Sequence, residues 1–127
     1  MSDCYKICGR GQYHKDDFDT GSTGSFKNAR QAREAMAENL EKINELQQKL
    51  YAEKREGVIF LFQAMDAAGK DGTIRAVLSC LSPQGVTEAA FKAPTSTELA
   101  HDFLWRVEQC VPEKGQIAIF NRSHYED

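Results

Sequence analysis

The stretch "GVIFLFQAMDAAGKDGTI", Gly57 to Ile74, decides the fold. Val58 to Phe62 run apolar without a break, the composition of a strand buried on both faces. Small and turn-forming residues follow, Asp66-Ala67-Ala68-Gly69-Lys70-Asp71-Gly72, and a helical pattern then extends from about Lys70 to Leu81. A turn between a strand and a helix aims several backbone N–H groups at one point. The helix N-terminus adds partial positive charge there, so the place suits an anion. The usual phosphate-loop pattern is G-x-x-x-x-G-K-[ST]. Gly69 and Lys70 match it, Ala64 stands at the first glycine, and Asp71 replaces the hydroxyl residue that ordinarily meets magnesium. The loop fails the pattern as written but still meets part of what phosphate needs. Ala64 is small, Gly69 and Gly72 permit close backbone approach, and Lys70 can reach a bound phosphate.

Asp66 is the informative departure. A carboxylate inside an anion loop repels phosphate unless a divalent cation lies between them. Magnesium takes one or two carboxylates together with phosphate oxygens and water. Asp66 therefore either holds Mg2+, directly or through water, or merely caps the helix.

Downstream, "SPQG" (Ser82 to Gly85) breaks the helix, and a second extended segment is expected over Val86 to Phe91. "TSTE" (Thr95 to Glu98) is a capping box, opening a helix that carries "LAHDFLWRVEQC" to about Cys110. Pro112 and Gly115 close it, and "QIAIF" (Gln116 to Phe120) is a third strand. Upstream, residues 1–26 read as an irregular leader. A helix over residues 27–55 carries one apolar stripe, Ala32, Met36, Leu40, Ile43, Leu46 and Leu50. The expected domain is thus 27–127, a long amphipathic helix followed by a β-α-β-α-β core over 57–127. Helices of this length between apolar strands imply an α/β fold with a parallel sheet and right-handed crossovers.

Composition agrees with a single modest domain. The 127 residues are 41% apolar and 28% charged, and 16 basic against 19 acidic residues give a net charge of −3. Such a balance does not announce a nucleic acid polymer, so a polyanion partner needs a local basic site. There is no apolar run of membrane-spanning length and no signal-peptide core, so the default expectation is a cytoplasmic protein with no membrane partner. Cys4 and Cys8 beside His14 lack the second half of a zinc ligand set, because Cys80 and Cys110 stand alone. Reduced thiols are the better reading. His101 and Trp105, four residues apart, are expected to pack in the core or at an interface rather than to catalyse.

Taken together, "LFQAMDAAGKDGTI", "LSPQGV", "FKAPTSTELAHDFLWR" and "IAIFNRSHYED" resemble the polyphosphate kinase 2 family, over roughly Asp19 to Asp127. The resemblance implies a P-loop kinase-like fold and transfer of a phosphoryl group between inorganic polyphosphate and a nucleoside mono-, di- or triphosphate. It implies Asp66, Lys70 and Arg122 as catalytic residues. Ala67, Ala68, Gly69, Lys70, Asp71, Gly72 and Thr73 cradle phosphate, and Lys92 touches the polyphosphate chain unless it is simply solvated. Asn121, which replaces the Asp typical of second motifs, and His124 are nucleotide-binding candidates. The metal falls to Asp66, with Glu126 as a helper.

Family members continue past the second motif with further strands and a helical lid rich in Arg and Lys. The chain is therefore expected to be incomplete at its C-terminus, to leave "VIFLF" as an open apolar edge, and to associate with itself as a homo-oligomer. Two other functions stay open at this point: an ATP-dependent small-molecule kinase, and a catalytically silent fragment that binds phosphate or self-associates.

Overall fold

The computed structural model describes residues 21–65 and 67–123. The chain divides into two compact units, Met1–Glu38 and Asn39–Asp127. In the described part of the first, the Asn28 side chain accepts from the Gln31 N–H at 2.9 Å. The Gln31 side chain in turn accepts from the Lys27 N–H at 3.0 Å. These bonds satisfy amides that a helix start leaves without intrahelical partners. Helix α1 (Ala29–Glu53) begins there.

The second unit holds β1 (Val58–Phe62), α2 (Lys70–Leu78), β2 (Val86–Ala90), α3 (Ser96–Leu99), α4 (Trp105–Glu108) and β3 (Ile117–Asn121). The strands form one parallel sheet in the order β1-β3-β2. Ile117 lies opposite Val58 on one side and Val86 on the other, and Phe120 lies between Leu61 and Ala89. All three strands therefore end on one edge of the sheet, where the loops that follow β1, β2 and β3 emerge. This is where open α/β sheets bind ligands.

Side chains alternate across the sheet. Ile117 and Ile119 pack with Ile74 of α2 on one face, joined by Leu50, Val58, Phe62, Leu78, Leu81 and Val86. Ala118 and Phe120 pack with Phe91 on the other, joined by Ala89, Val107 and Cys110. The Phe91 and Phe120 rings meet edge to face, 5.0 Å between centroids. The strand buried on both faces is β3, not β1: Ile117 to Phe120 are all buried, whereas Ile59, Phe60 and Leu61 are exposed. Among the described residues β1 has a bonded neighbour only on its β3 side. Continuous apolar character alone does not distinguish an edge strand from a central one.

Three further expectations are corrected. The helix over Thr95 to Cys110 is two single turns. The capping box is present, with the Glu98 N–H donating to Thr95 Oγ1 and the Thr95 N–H donating to Glu98 Oε2. The bond from the Thr95 N–H and, after it, the Thr95 hydroxyl hold the Glu98 carboxyl below its usual range. The chain then breaks at Asp102, whose side chain accepts from the Leu104 N–H at 3.0 Å. That local bond competes with helix continuation. α2 ends at Leu78 rather than Leu81, its last turn passing into a tighter turn where the Leu81 N–H donates to the Leu78 carbonyl. On α1 the predicted stripe is imperfect, for Leu46 is exposed while its polar neighbour Gln47 is buried. The Gln47 amide donates to the Ser82 and Gln84 carbonyls at 2.8 and 3.1 Å and accepts from the Ser82 N–H at 2.8 Å. It is a polar clamp on the SPQG turn.

His101 and Trp105 stack on each other, ring centroids 4.2 Å apart, across the break between α3 and α4, and His101 is exposed rather than part of the core. Cys80 and Cys110 are half-buried free thiols, and no cluster of three metal-ligating side chains occurs among the described residues. No described helix is long and apolar enough to cross a membrane.

Candidate functional site: the loop between β1 and α2

The loop after β1 turns sharply before it becomes helix. Ala67 and Gly69 both take left-handed backbone conformations, with φ of 61° and 83°. Gly69 is the residue that caps α2, and no side chain caps the helix there. Its carbonyl accepts from both the N–H and the hydroxyl of Thr73, at 3.0 and 3.1 Å. The first-turn N–H groups of α2 have no intrahelical partners, and the left-handed turn delivers them toward the sheet edge. A left-handed alanine costs about 1–2 kcal/mol, so Ala67 marks a strained point in the loop.

A cavity of about 250 Å³ lies over this turn, lined by Met65, Ala67, Ala68, Gly69, Lys70, Asp71, Gly72 and Arg122. Arg122 follows β3 immediately and is itself left-handed, with φ of 73°. Its N–H donates to the carbonyl of Phe62, the last residue of β1, at 3.0 Å. The pairing of β1 with β3 is thereby carried one residue past Asn121 and sets Arg122 beside the loop. Next to it Ser123, almost wholly buried, donates its hydroxyl to Gln63 Oε1 at 3.1 Å. The chain on either side of the cavity is fastened at both levels.

Lys70 is largely buried. Its ammonium donates to Asn121 Oδ1 and, at 3.2 Å, to Asp71 Oδ1. Asn121 Nδ2 donates to the same Asp71 oxygen at 3.3 Å. Lys70, Asp71 and Asn121 thus form a closed triangle of hydrogen bonds between the first turn of α2 and the end of β3. The Asp71 carboxyl is held below its usual range, first by the hydrogen bond from Lys70, then by that from Asn121. Arg122 adds a weaker attraction to the same carboxylate.

Of the residues singled out in the sequence, Ala67 to Gly72 and Arg122 line one cavity, and Asn121 reaches it through Lys70. Thr73 faces back to the Gly69 carbonyl. Lys92 is not a lining residue. It is exposed just past the end of β2, and its carbonyl accepts from Arg106 Nη1 at 2.7 Å. Asp66, His124 and Glu126 lie outside the described residues, as do Cys4, Cys8 and His14. The triangle itself is not foreseeable from either segment alone. Its only signal in the sequence is that Asp71 and Asn121 both depart from the usual pattern. Arg106 also escapes a reading of the sequence. It is buried, lies over the Phe91 ring at 5.6 Å, and fixes the backbone that carries Lys92.

Comparison with known proteins bears on the same stretch of chain. The family model for polyphosphate kinase 2 matches residues 26–127. An AMP/ADP-polyphosphate phosphotransferase of Meiothermus ruber is 48% identical over 124 residues, which are 97% of this chain and 46% of that protein. An ADP-polyphosphate phosphotransferase of Rhodopseudomonas palustris is 54% identical over 94 residues, covering 74% of this chain and 32% of the relative. The crystal structure of polyphosphate kinase 2 from Arthrobacter aurescens superimposes with a TM-score of 0.80 at 39% identity, over 93% of this chain and 43% of that one. The chain therefore spans less than half the length of these relatives. With a matching family model across the whole β-α-β-α-β region and the same fold in a solved relative, this chain belongs to the polyphosphate kinase 2 family.

Proposed function

We propose that the protein acts in Mg2+-dependent transfer of a phosphoryl group between inorganic polyphosphate and a nucleoside mono- or diphosphate. The observation that carries this reading is the convergence of two cationic side chains, Lys70 and Arg122, on a cavity floored by the N-terminal turn of α2. The names of the relatives supply the donor and acceptor classes.

In such a transfer the bond between the terminal phosphorus and the bridging oxygen of polyphosphate breaks as a terminal phosphate oxygen of the nucleotide bonds to that phosphorus. Negative charge spreads over the three equatorial oxygens. The loop amides hold the phosphoryl group, the Lys70 ammonium neutralises it from the α2 side, and the Arg122 guanidinium does so from the β3 side. Preorganised charge of this kind is the largest available contribution to phosphoryl transfer.

Among the described residues the cavity offers one carboxylate of the kind magnesium takes. Asp71 is a carboxylate at the cavity held in its ionised form, and magnesium needs few protein ligands when phosphate supplies the rest. We assign the metal to Asp66 with Glu126 helping, and assign Asn121 and His124 to the nucleotide and Lys92 to the polyphosphate chain. When bound, the ion withdraws charge from phosphate oxygens and relieves the conflict between Asp66 and the polyanion.

The experiment is nucleotide production from polyphosphate, Mg2+ and AMP, ADP or GDP. It compares the 127-residue chain with a form continued at its C-terminus by the remaining part of the Meiothermus ruber relative. Product made from polyphosphate without ATP supports the proposal. Use of ATP but not polyphosphate as donor would replace it with a small-molecule kinase, and no product from either form would refute it. Asp66→Asn should abolish the Mg2+-dependent rate, and Lys70→Ala should lower both phosphate binding and turnover.

A further inference from the structure

The usual phosphate-loop enzyme carries a hydroxyl residue after the loop lysine and an aspartate at the end of the second-motif strand. Here both positions differ. Asp71 follows Lys70, and Asn121 ends β3. Fifty residues apart in the chain, the two are hydrogen-bonded to each other at 3.3 Å, and both are bonded to the ammonium of Lys70.

We propose that Asp71 and Asn121 are a compensating pair of positioning residues for Lys70, in which the carboxylate has moved from the end of β3 to the first turn of α2. The two positions together need one carboxylate and one amide, and which strand or helix supplies each is secondary.

The geometry gives each partner a distinct task. The Asn121 amide accepts from Lys70 through Oδ1 and donates to Asp71 through Nδ2, which an ionised carboxylate at the same position cannot do. Asp71 accepts from both neighbours on a single oxygen and, among the described residues, pairs its negative charge with the largely buried ammonium. An aspartate at 121 would set two carboxylates against each other at hydrogen-bond distance. An asparagine at 71 alone would leave Lys70 with two neutral neighbours. Arg122, the next cation along, lines the same cavity and adds a weaker attraction to the Asp71 carboxylate.

This inference rests on the phosphate-site reading above, and its test separates the two. Asp71→Asn, Asn121→Asp and the double exchange are compared with wild type in three measurements: thermal unfolding, calorimetric binding of tripolyphosphate, and kcat and KM in the C-terminally continued form. Each single substitution should lower kcat by about tenfold or more, and the double exchange should return it to within about threefold of wild type. The singles should move KM in opposite directions, down when a negative charge is removed and up when one is added. Unfolding should show the same non-additivity without any ligand, Asn121→Asp being destabilising alone and near neutral beside Asp71→Asn. A double exchange as impaired as the worse single, or an Asn121→Asp chain that unfolds and binds tripolyphosphate like wild type, overturns the pairing. If no form turns over polyphosphate, the phosphotransferase reading fails and the unfolding and binding cycles still decide the pair.

Discussion

The backbone N–H of Arg122 donates to the carbonyl of Phe62 at 3.0 Å, so the residue after β3 is tied to the residue that ends β1. The backbone that carries the guanidinium is therefore placed by sheet pairing, although Arg122 itself lies beyond the strand. Arg122→Ala should lower turnover of the C-terminally continued form by about a hundredfold or more, the loss typical of one preorganised charge-stabilising group. The backbone bond survives the substitution, so thermal unfolding should change little. Arg122→Lys should recover only part of the rate, because an ammonium does not reproduce the planar fork. An alanine variant with wild-type turnover would remove Arg122 from the site.

Gly69 and Gly72 answer differently to the same substitution. A methyl group added at either would meet no atom within 4 Å, but Gly69 has φ of +83° and Gly72 does not lie in the left-handed region. Gly69→Ala should destabilise by about 1–2 kcal/mol through backbone strain alone. Gly72→Ala, in the first turn of α2, should stabilise the ligand-free chain by about 0.5–1 kcal/mol. It should also weaken tripolyphosphate binding, since the added methyl borders the cavity. Equal unfolding shifts in the two variants would contradict the assigned loop conformation.

The carboxyl of Asp71 titrates below the ordinary range because Lys70 and then Asn121 bond to its ionised form. The contact is present above the unfolded pKa and is lost as the pH falls through the lowered folded value. Lys70→Ala removes the largest cause, so the Asp71 midpoint should move up toward an ordinary aspartate. Carbon-13 NMR of the side-chain carboxyl follows this directly, and a midpoint indifferent to Lys70→Ala would mean that the ammonium does not sit where the structure places it. Because Asp71 is exposed, added salt should shrink the difference.

Gln47 closes three hydrogen bonds onto the Ser82–Gln84 turn from a buried position. Gln47→Leu should cost about 2–3 kcal/mol, since it leaves backbone groups of the turn without partners. Gln47→Glu should not repair the loss, because a carboxylate cannot donate to the two carbonyls it would face. Denaturant midpoints measure both, and an unchanged midpoint in the leucine variant would show that the clamp contributes nothing.

Among the described residues nothing pairs with β1 on the side away from β3, and its Ile59, Phe60 and Leu61 are exposed. An exposed apolar strand edge invites association, so the 127-residue chain should sediment as more than a monomer and bind a dye that reports apolar surface. Leu61→Lys should reduce both signals, because a charge on an edge strand opposes pairing. Continuation at the C-terminus by the matching part of a relative should do the same. A chain that remains monomeric at high concentration without any substitution would count against the open edge as an association site.

What the sequence determined by itself was whatever depends on neighbours in the chain. The apolar run from Val58 to Phe62, the turn chemistry of Ala67 to Gly72 and the Thr95–Glu98 box are local patterns, and β1, the loop before α2 and the cap of α3 form where those patterns stand. The order of strand and helix made a parallel sheet legible as well, since crossovers of that length leave few alternatives. Tertiary structure decided what the strand patterns left open, which strand lies at the centre, although the family resemblance puts Val58 to Phe62 at an open edge. β1 and β3 are both apolar runs, and only the order β1-β3-β2 makes Ile117 to Phe120 the buried set. It alone turned Gln47 inward in place of Leu46, because three bonds to a distant turn outweigh the burial of one leucine. It alone brought Asp71 to Asn121. A hydrogen bond between residues fifty apart depends on register and strand order, and neither is written in the immediate neighbourhood of either residue.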